Sequence, residues 1–372
     1  MKRATVFLLI AMSVPLIFLS VSCAKTKSTS KTVPAKKHAV IKSSPITKPL
    51  GLNKIFFMSA RDSSDQIYSI NPDGTGLKKI TDESDGILKQ GFDVSKDGTK
   101  IVFYGPRGDY SAQPEILAAN VDGSGFRSLG NGQDALWSPD GKKLVFLGTN
   151  ENDSVTPVNI MNEDGTNRRE IASDGFAPLW STAGNNLVYY RLIDIADSKG
   201  TARVATLSGE LVYDFGVSYP KNFGWAFSPD DKKLIYYTWD KKSLRIGDLS
   251  NGKTVTTIVE DVYALPPIWS PDGLAICYQV FASQPSRIEE DGIWLYDTKK
   301  GENRHLLKWY SSYSKIFTWS PDSSMIAISG DPNPSISTDK ALPADSNIWL
   351  LSKTGALTRL TDTGQDYSPI WR

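Results

Sequence analysis

Cysteine and histidine are almost missing from this chain, and each absence excludes a class of chemistry. Only Cys23 and Cys277 occur in 372 residues, so no disulfide framework supports the fold. The two histidines, His38 and His305, lie far apart, and with one spare cysteine they cannot form an ordinary zinc site. His305, beside Arg304, reads as a surface residue rather than a catalytic one. No Gly-x-Ser-x-Gly, phosphate loop or dinucleotide fingerprint is present. Cys277 sits in the apolar run Leu274–Tyr278, where a thiol behaves as a small buried hydrophobe. An excess of basic charge is also missing from the body. Residues 1–50 hold nine Lys and Arg and no acid, which leaves 33 basic against 41 acidic residues in 51–372, a formal charge of −8. Such a surface does not neutralise phosphates, so nucleic acid is not expected as a partner.

The first 22 residues read as an export signal. Lys2 and Arg3 precede the uncharged run Ala4–Leu19, and Ser20-Val21-Ser22 leads to Cys23. That layout resembles a bacterial lipoprotein signal, in which Cys23 is lipidated and becomes the first residue of the mature chain. Ser20 stands where such signals usually carry leucine. Cleavage without lipidation, or retention as an anchor helix, are the alternatives, and all three place the body outside the cytoplasm. Residues 23–50 are the lipidated cysteine and a Lys/Ser/Thr/Pro tether with too little apolar surface to fold. As a flexible coil it spans roughly 25–30 Å.

From residue 51 onward the chain repeats itself. Aromatic-Ser-Pro-Asp anchors fall at Trp137, Phe227, Trp269 and Trp319, with looser copies near Phe92, at Trp180 and at Trp371. The intervals are 45, 43, 47, 42, 50 and 52 residues, a period that fits a four-stranded antiparallel unit. Pro fixes φ at the second turn position, Asp suits the third, and Gly accepts the left-handed conformation that starts the next strand. Second strands such as Leu144–Phe146, third strands such as Gly292–Tyr296 and short fourth strands after Asp-Gly turns complete each unit. The fold class is therefore all-β, a propeller of about seven four-stranded blades, with six or eight as alternatives. Lys54–Met58 begins as a second strand and Tyr367–Trp371 is a first strand without a successor. The two ends should pair and close the ring, which removes the open sheet edges.

Trp137-Ser138-Pro139-Asp140, Phe227-Ser228-Pro229-Asp230-Asp231 and the turns Asn71-Pro72-Asp73-Gly74-Thr75-Gly76 and Asn162-Glu163-Asp164-Gly165-Thr166 resemble the WD-repeat-like blades of the TolB family. The propellers of prolyl oligopeptidases and dipeptidyl peptidases are similar. The resemblance spans about Lys54 to Arg372 and implies a propeller, and for TolB itself docking of a peptidoglycan-associated lipoprotein. Two departures stand out: TolB carries an α/β domain ahead of its propeller and has six blades, whereas seven are counted here.

The tight Ser-Pro-Asp-Gly turns should occupy one rim and the variable connections the other. Insertions at Pro106–Pro114, Leu192–Gly200, Phe281–Asp291 and Gly330–Ser346 mark the second rim as the binding face. Tyr219, Phe223, Tyr263, Trp309, Tyr310 and Tyr313 fall on it as candidate contacts, or pack between blades instead. No cofactor is expected, although the oxygen-rich loops holding Asp331, Asn333, Asp339 and Asp345, and Asp194 with Asp197, leave calcium open. The expected function is a non-catalytic, membrane-anchored envelope protein that binds a protein or peptide partner. The alternatives are an envelope enzyme with two carboxylates at the channel, or a glycan-binding protein.

Overall fold

The computed structural model describes residues 53–62, 64–149, 156–194, 199–218, 224–238, 242–250, 254–282, 291–309, 317–330, 332 and 346–372. They form seven four-stranded antiparallel sheets, the blades of a propeller. In blades 2 to 7 the strands follow the chain outward from an inner strand. The inner strands are Gly91–Val94, Gln133–Trp137, Gly175–Trp180, Trp225–Phe227, Val262–Trp269 and Phe317–Trp319.

Blade 1 is composite, as the two chain ends require. Its inner strand is Asp366–Trp371, followed outward by Ile55–Ser59, Gln66–Ile70 and Lys78–Lys79. Ile55 pairs with Trp371, Phe56 with Ile370 and Met58 with Tyr367. Lys54 N–H donates to the Arg372 carbonyl at 2.8 Å, and Arg372 N–H returns a bond to Lys54 O at 3.0 Å. The Arg372 guanidinium then reaches blade 2, donating from Nε to Val94 O at 3.0 Å and lying 3.3 Å from Asp93 Oδ1. Asp93 Oδ2 in turn accepts from the Trp137 backbone N–H of blade 3 at 2.9 Å. The closure thus extends over three consecutive blades.

Each residue of the repeated motif has a definite task. The indoles of Trp180, Trp269 and Trp319 donate to Leu136 O, Ala226 O and Ile268 O on the preceding blade at 3.1–3.4 Å. Trp371 uses Asn53 Oδ1 instead, and Trp137 Nε1 has no hydrogen-bond partner among the described residues. In blade 3 Ser138 Oγ donates to Asp140 Oδ1 at 2.6 Å and accepts from Lys143 N–H at 2.9 Å. Blades 2, 5, 6 and 7 repeat this with Ser95, Ser228, Ser270 and Ser320. These serine bonds hold the Asp140 and Asp230 carboxyls below the ordinary carboxylate range, against the opposing effect of burial. Blade 4 reads Ser181-Thr182-Ala183-Gly184 and has no aspartate of its own. Asp231 of blade 5 fills the vacancy, accepting from Thr182 N–H at 2.6 Å and Ala183 N–H at 2.7 Å.

Blade 2 corrects one sequence expectation. The position equivalent to Trp137 is Val94, not Phe92, because Val94-Ser95-Lys96-Asp97-Gly98 forms the turn. Both residues are buried on the same strand, two apart and hence on one face.

Candidate functional site

The two rims differ in kind. On the Ser-Pro-Asp-Gly rim the serine hydroxyl is bonded to one oxygen of the turn's own aspartate in blades 2, 3, 5, 6 and 7. On the opposite rim, the connections joining blades 1, 2 and 3 are each built differently.

The sector of blades 1, 2 and 3 begins with the inner strands, which do not run straight. Blades 1, 3, 4 and 6 each carry a bulge in which two inner-strand residues face one partner. Ser368, Asp134 and Ala177 occupy the bulge with φ of 53°, 52° and 46°. A bulged residue offers no ladder hydrogen bond, which is why proline fits beside it at Pro369, Pro178 and Pro267. Asp134 holds its left-handed conformation while accepting a hydrogen bond from the Tyr104 hydroxyl of blade 2. Burial, and then the Asp134 charge, push the Tyr104 phenol well above its ordinary value. Gly91 is required beneath it, since a Cβ there would lie 2.6 Å from the hydroxyl.

Blade 1 contributes a buried ion pair. Arg61 Nη2 meets Asp366 Oδ1 at 2.7 Å, and the carboxylate is fully buried where the closing strand starts. Thr363 Oγ1 donates to its other oxygen at 2.7 Å, and Arg61 lies over the Tyr68 ring at 4.6 Å. The Tyr68 hydroxyl donates to Asp62, which Lys79 also contacts at 2.8 Å. Hydrogen bonds from Lys79 and Tyr68 lower the Asp62 carboxyl, while burial and Asp62 push the Tyr68 phenol to about 12.

The insertion at Pro106–Pro114 is tied down at its base. Arg107 pairs with Glu115 at 2.7 Å and donates to Asp85 O at 2.6 Å, and Gly108 N–H donates to Gly86 O at 2.9 Å. Beneath it the fully buried Lys89 ammonium pairs with Asp85 at 2.8 Å and donates to the carbonyls of Asp82 and Ile87. Asp109 Oδ1 accepts from Ser111 N–H at 2.9 Å and shapes the tip. Tyr110, 68% exposed, stands there on a fixed base. Its exposure was not legible from composition, because the insertion shows no aromatic cluster.

Of the sequence candidates, Tyr263 is half-buried on the inner strand of blade 6, with Lys242 Nζ 5.4 Å from its ring centroid. Trp309 is 2% exposed: it packs among Cys277, Phe317 and Ile328, and its indole donates to Ser329 O at 3.2 Å. Its ring belongs to the core and is withdrawn from the rim. Tyr219, Phe223, Tyr310 and Tyr313 lie outside the described residues, as do Cys23, Asp197, Asp331, Asn333, Asp339, Asp345 and the side chain of Asp194. Among the described residues no three His, Cys, Asp or Glu side chains are grouped to hold a metal ion. His305 is half-buried on an outer strand, 3.2 Å from Asp291 O, and Cys277 is fully buried, its thiol pushed up by desolvation.

No protein-family model and no curated protein sequence matches the chain. Its fold, however, is similar to many solved propellers. TolB from Acinetobacter baumannii is 12% identical with a TM-score of 0.53, over 86% of this chain and 66% of that one. This chain thus spans just under two-thirds of that protein. The periplasmic gluconolactonase PpgL of Pseudomonas aeruginosa is 13% identical with a TM-score of 0.56, over 86% and 98% of the two chains. An oligogalacturonate lyase in complex with manganese is 16% identical with a TM-score of 0.54, over 84% and 86%. Likeness at this level establishes the β-propeller fold.

Proposed function

We propose that this protein is a non-catalytic binding scaffold of the cell envelope, exported and lipid-anchored through Cys23, that holds a protein or peptide partner on its loop-rich rim. The observation that carries the reading is the asymmetry of the rims. One rim spends serine hydroxyls and aspartates on five similar turns, in blades 2, 3, 5, 6 and 7. The other varies from blade to blade and presents Tyr110 on a base fixed by Arg107, Asp85 and Glu115. A rigid aromatic anchor surrounded by polar side chains is what a protein interface uses, since little entropy is lost on binding.

Site-specific photo-crosslinking tests this. A photoreactive residue at Tyr110 should give a discrete crosslinked adduct in intact cells, and one at Lys142, on the Ser-Pro-Asp-Gly rim, should give none. Equal adducts from both rims, or none from Tyr110, would refute the assignment. Hydrolysis of a lactone by the purified chain, abolished by substitution in the channel, would favour an enzyme instead.

A further inference from the structure

A second site lies on the opposite rim, between blades 5 and 6, and it stands apart from the partner-binding reading. Trp137, Trp180, Phe227, Trp319 and Trp371 are only 4–7% exposed. Trp269 alone among the repeat aromatics is half-buried. In front of it is a cavity of about 320 Å³, bordered by Asp230 and Lys233 of blade 5 and by Asp272, Tyr296 and Thr298 of blade 6.

Comparison with the other blade junctions shows why the cavity exists. At the junction of blades 2 and 3, Lys100 forms an ion pair with Glu163 and lies over the Trp137 ring at 5.9 Å. At the junction of blades 6 and 7, Lys353 reaches over the Trp319 ring at 5.4 Å and lies 3.5 Å from Asp272. Strand register makes Lys233 the counterpart of Lys100, and Thr298 the counterpart of both Glu163 and Lys353. Thr298 has no charge, and its hydroxyl donates to Gly273 O at 2.9 Å. Among the described residues no carboxylate takes the place of Glu163 to draw Lys233 across the indole, and the ring stays half-buried.

We infer that this cavity is a binding site for a neutral pyranose sugar unit. Its volume lies at the small end of ligand pockets, suited to one or two sugar rings. The half-buried indole offers a flat apolar surface for the C–H face of a sugar. The Tyr296 hydroxyl, the Lys233 ammonium and the outer oxygens of Asp230 and Asp272 supply donors and acceptors for ring hydroxyls. Lys233 is the one ammonium in the lining beside Asp230 and Asp272, and Lys353, outside it, lies 3.5 Å from Asp272, so the lining's charge is largely offset and Lys233 would repel an amine.

Saturation-transfer NMR on the full chain is the test, with methyl β-glucopyranoside, methyl β-galactopyranoside and N-acetylglucosamine as probes and choline as the cationic control. At least one sugar should receive saturation at its ring C–H protons. Thr298→Glu supplies the missing carboxylate, should pull Lys233 over Trp269, and should weaken that signal at least about tenfold. Its melting temperature should not fall, which separates cavity filling from unfolding. Tyr296→Phe should weaken it in part. The inference is overturned if no sugar is saturated, if choline alone is, or if the sugar signal survives in Thr298→Glu.

Discussion

Deleting Tyr367–Arg372 should unfold the propeller, although only six of 372 residues are removed. The deletion takes away most of the inner strand of blade 1 and leaves Ile55–Ser59 as an open edge. Trp371 and Ile370 are both buried, and losing side chains of these types costs about 3–5 and 2–5 kcal/mol. Their sum, about 5–10 kcal/mol, is comparable to the entire ~5–15 kcal/mol stability of an ordinary domain. The bonds of Arg372 to Lys54, Val94 and Asp93 are lost as well. Urea unfolding of the chain without residues 1–22, with and without the last six residues, measures the effect. A synthetic peptide of residues 366–372 added in trans should recover part of the lost stability. If the deletion shifts the urea midpoint hardly at all, the closing strand is not part of the core and the cross-blade argument is wrong.

Other consequences follow from particular contacts. Cys23→Ala should move the protein from the membrane to the soluble fraction or block its processing, because acyl chains contribute roughly 0.8 kcal/mol per buried methylene; unchanged fractionation would exclude lipidation. Asp231→Asn keeps a side chain that tolerates the observed φ of 56° but removes the charge that accepts from Thr182 and Ala183, and should cost about 1 kcal/mol in urea unfolding. The Asp140 and Asp230 carboxyls titrate below their unfolded value near pH 4, so the stability they confer is full above that pH and is lost as pH falls below it. Unfolding followed from pH 6 to pH 2 should therefore show stability dropping below about pH 4, with a shallower drop in Asp140→Asn.

The fold was legible because the repeat spells out its own hydrogen bonds. Serine, proline, aspartate and glycine each answer a local requirement of one turn, and the tryptophan answers a requirement of the neighbouring blade. Where a residue's partner lies on another blade, the sequence is silent. Ser181-Thr182-Ala183-Gly184 looks like a decayed turn until Asp231 is seen to complete it. For Trp309, which sits in a connection, rim contact and packing between blades were both open from sequence, and the fold tucks it among residues of blades 6 and 7. The bulges left a trace in the prolines two places before Trp180, Trp269 and Trp371, yet proline alone did not distinguish a bulge from a strand end.

The same dependence on neighbours explains how one rim can be both repetitive and locally distinct. Every junction except that of blades 1 and 2, where Val94 takes the position, sets a motif aromatic against the preceding blade, so those junctions could be built from identical covers. They are not: Lys100 with Glu163 covers one indole and Lys353 covers another, from opposite sides of the junction. The two solutions are chemically interchangeable for stability, since a cation over an exposed indole is worth only about 0.5–1 kcal/mol. Folding therefore exerts little pressure on residue 298, and a threonine there opens a cavity at small cost to the ring. On the loop-rich rim the freedom is larger, because no shared turn constrains the connections, and there it is taken up by insertions such as the one that carries Tyr110. Variation in a propeller concentrates where the repeat's hydrogen bonds are already satisfied without it, and those are the places from which binding sites can be made without disturbing closure.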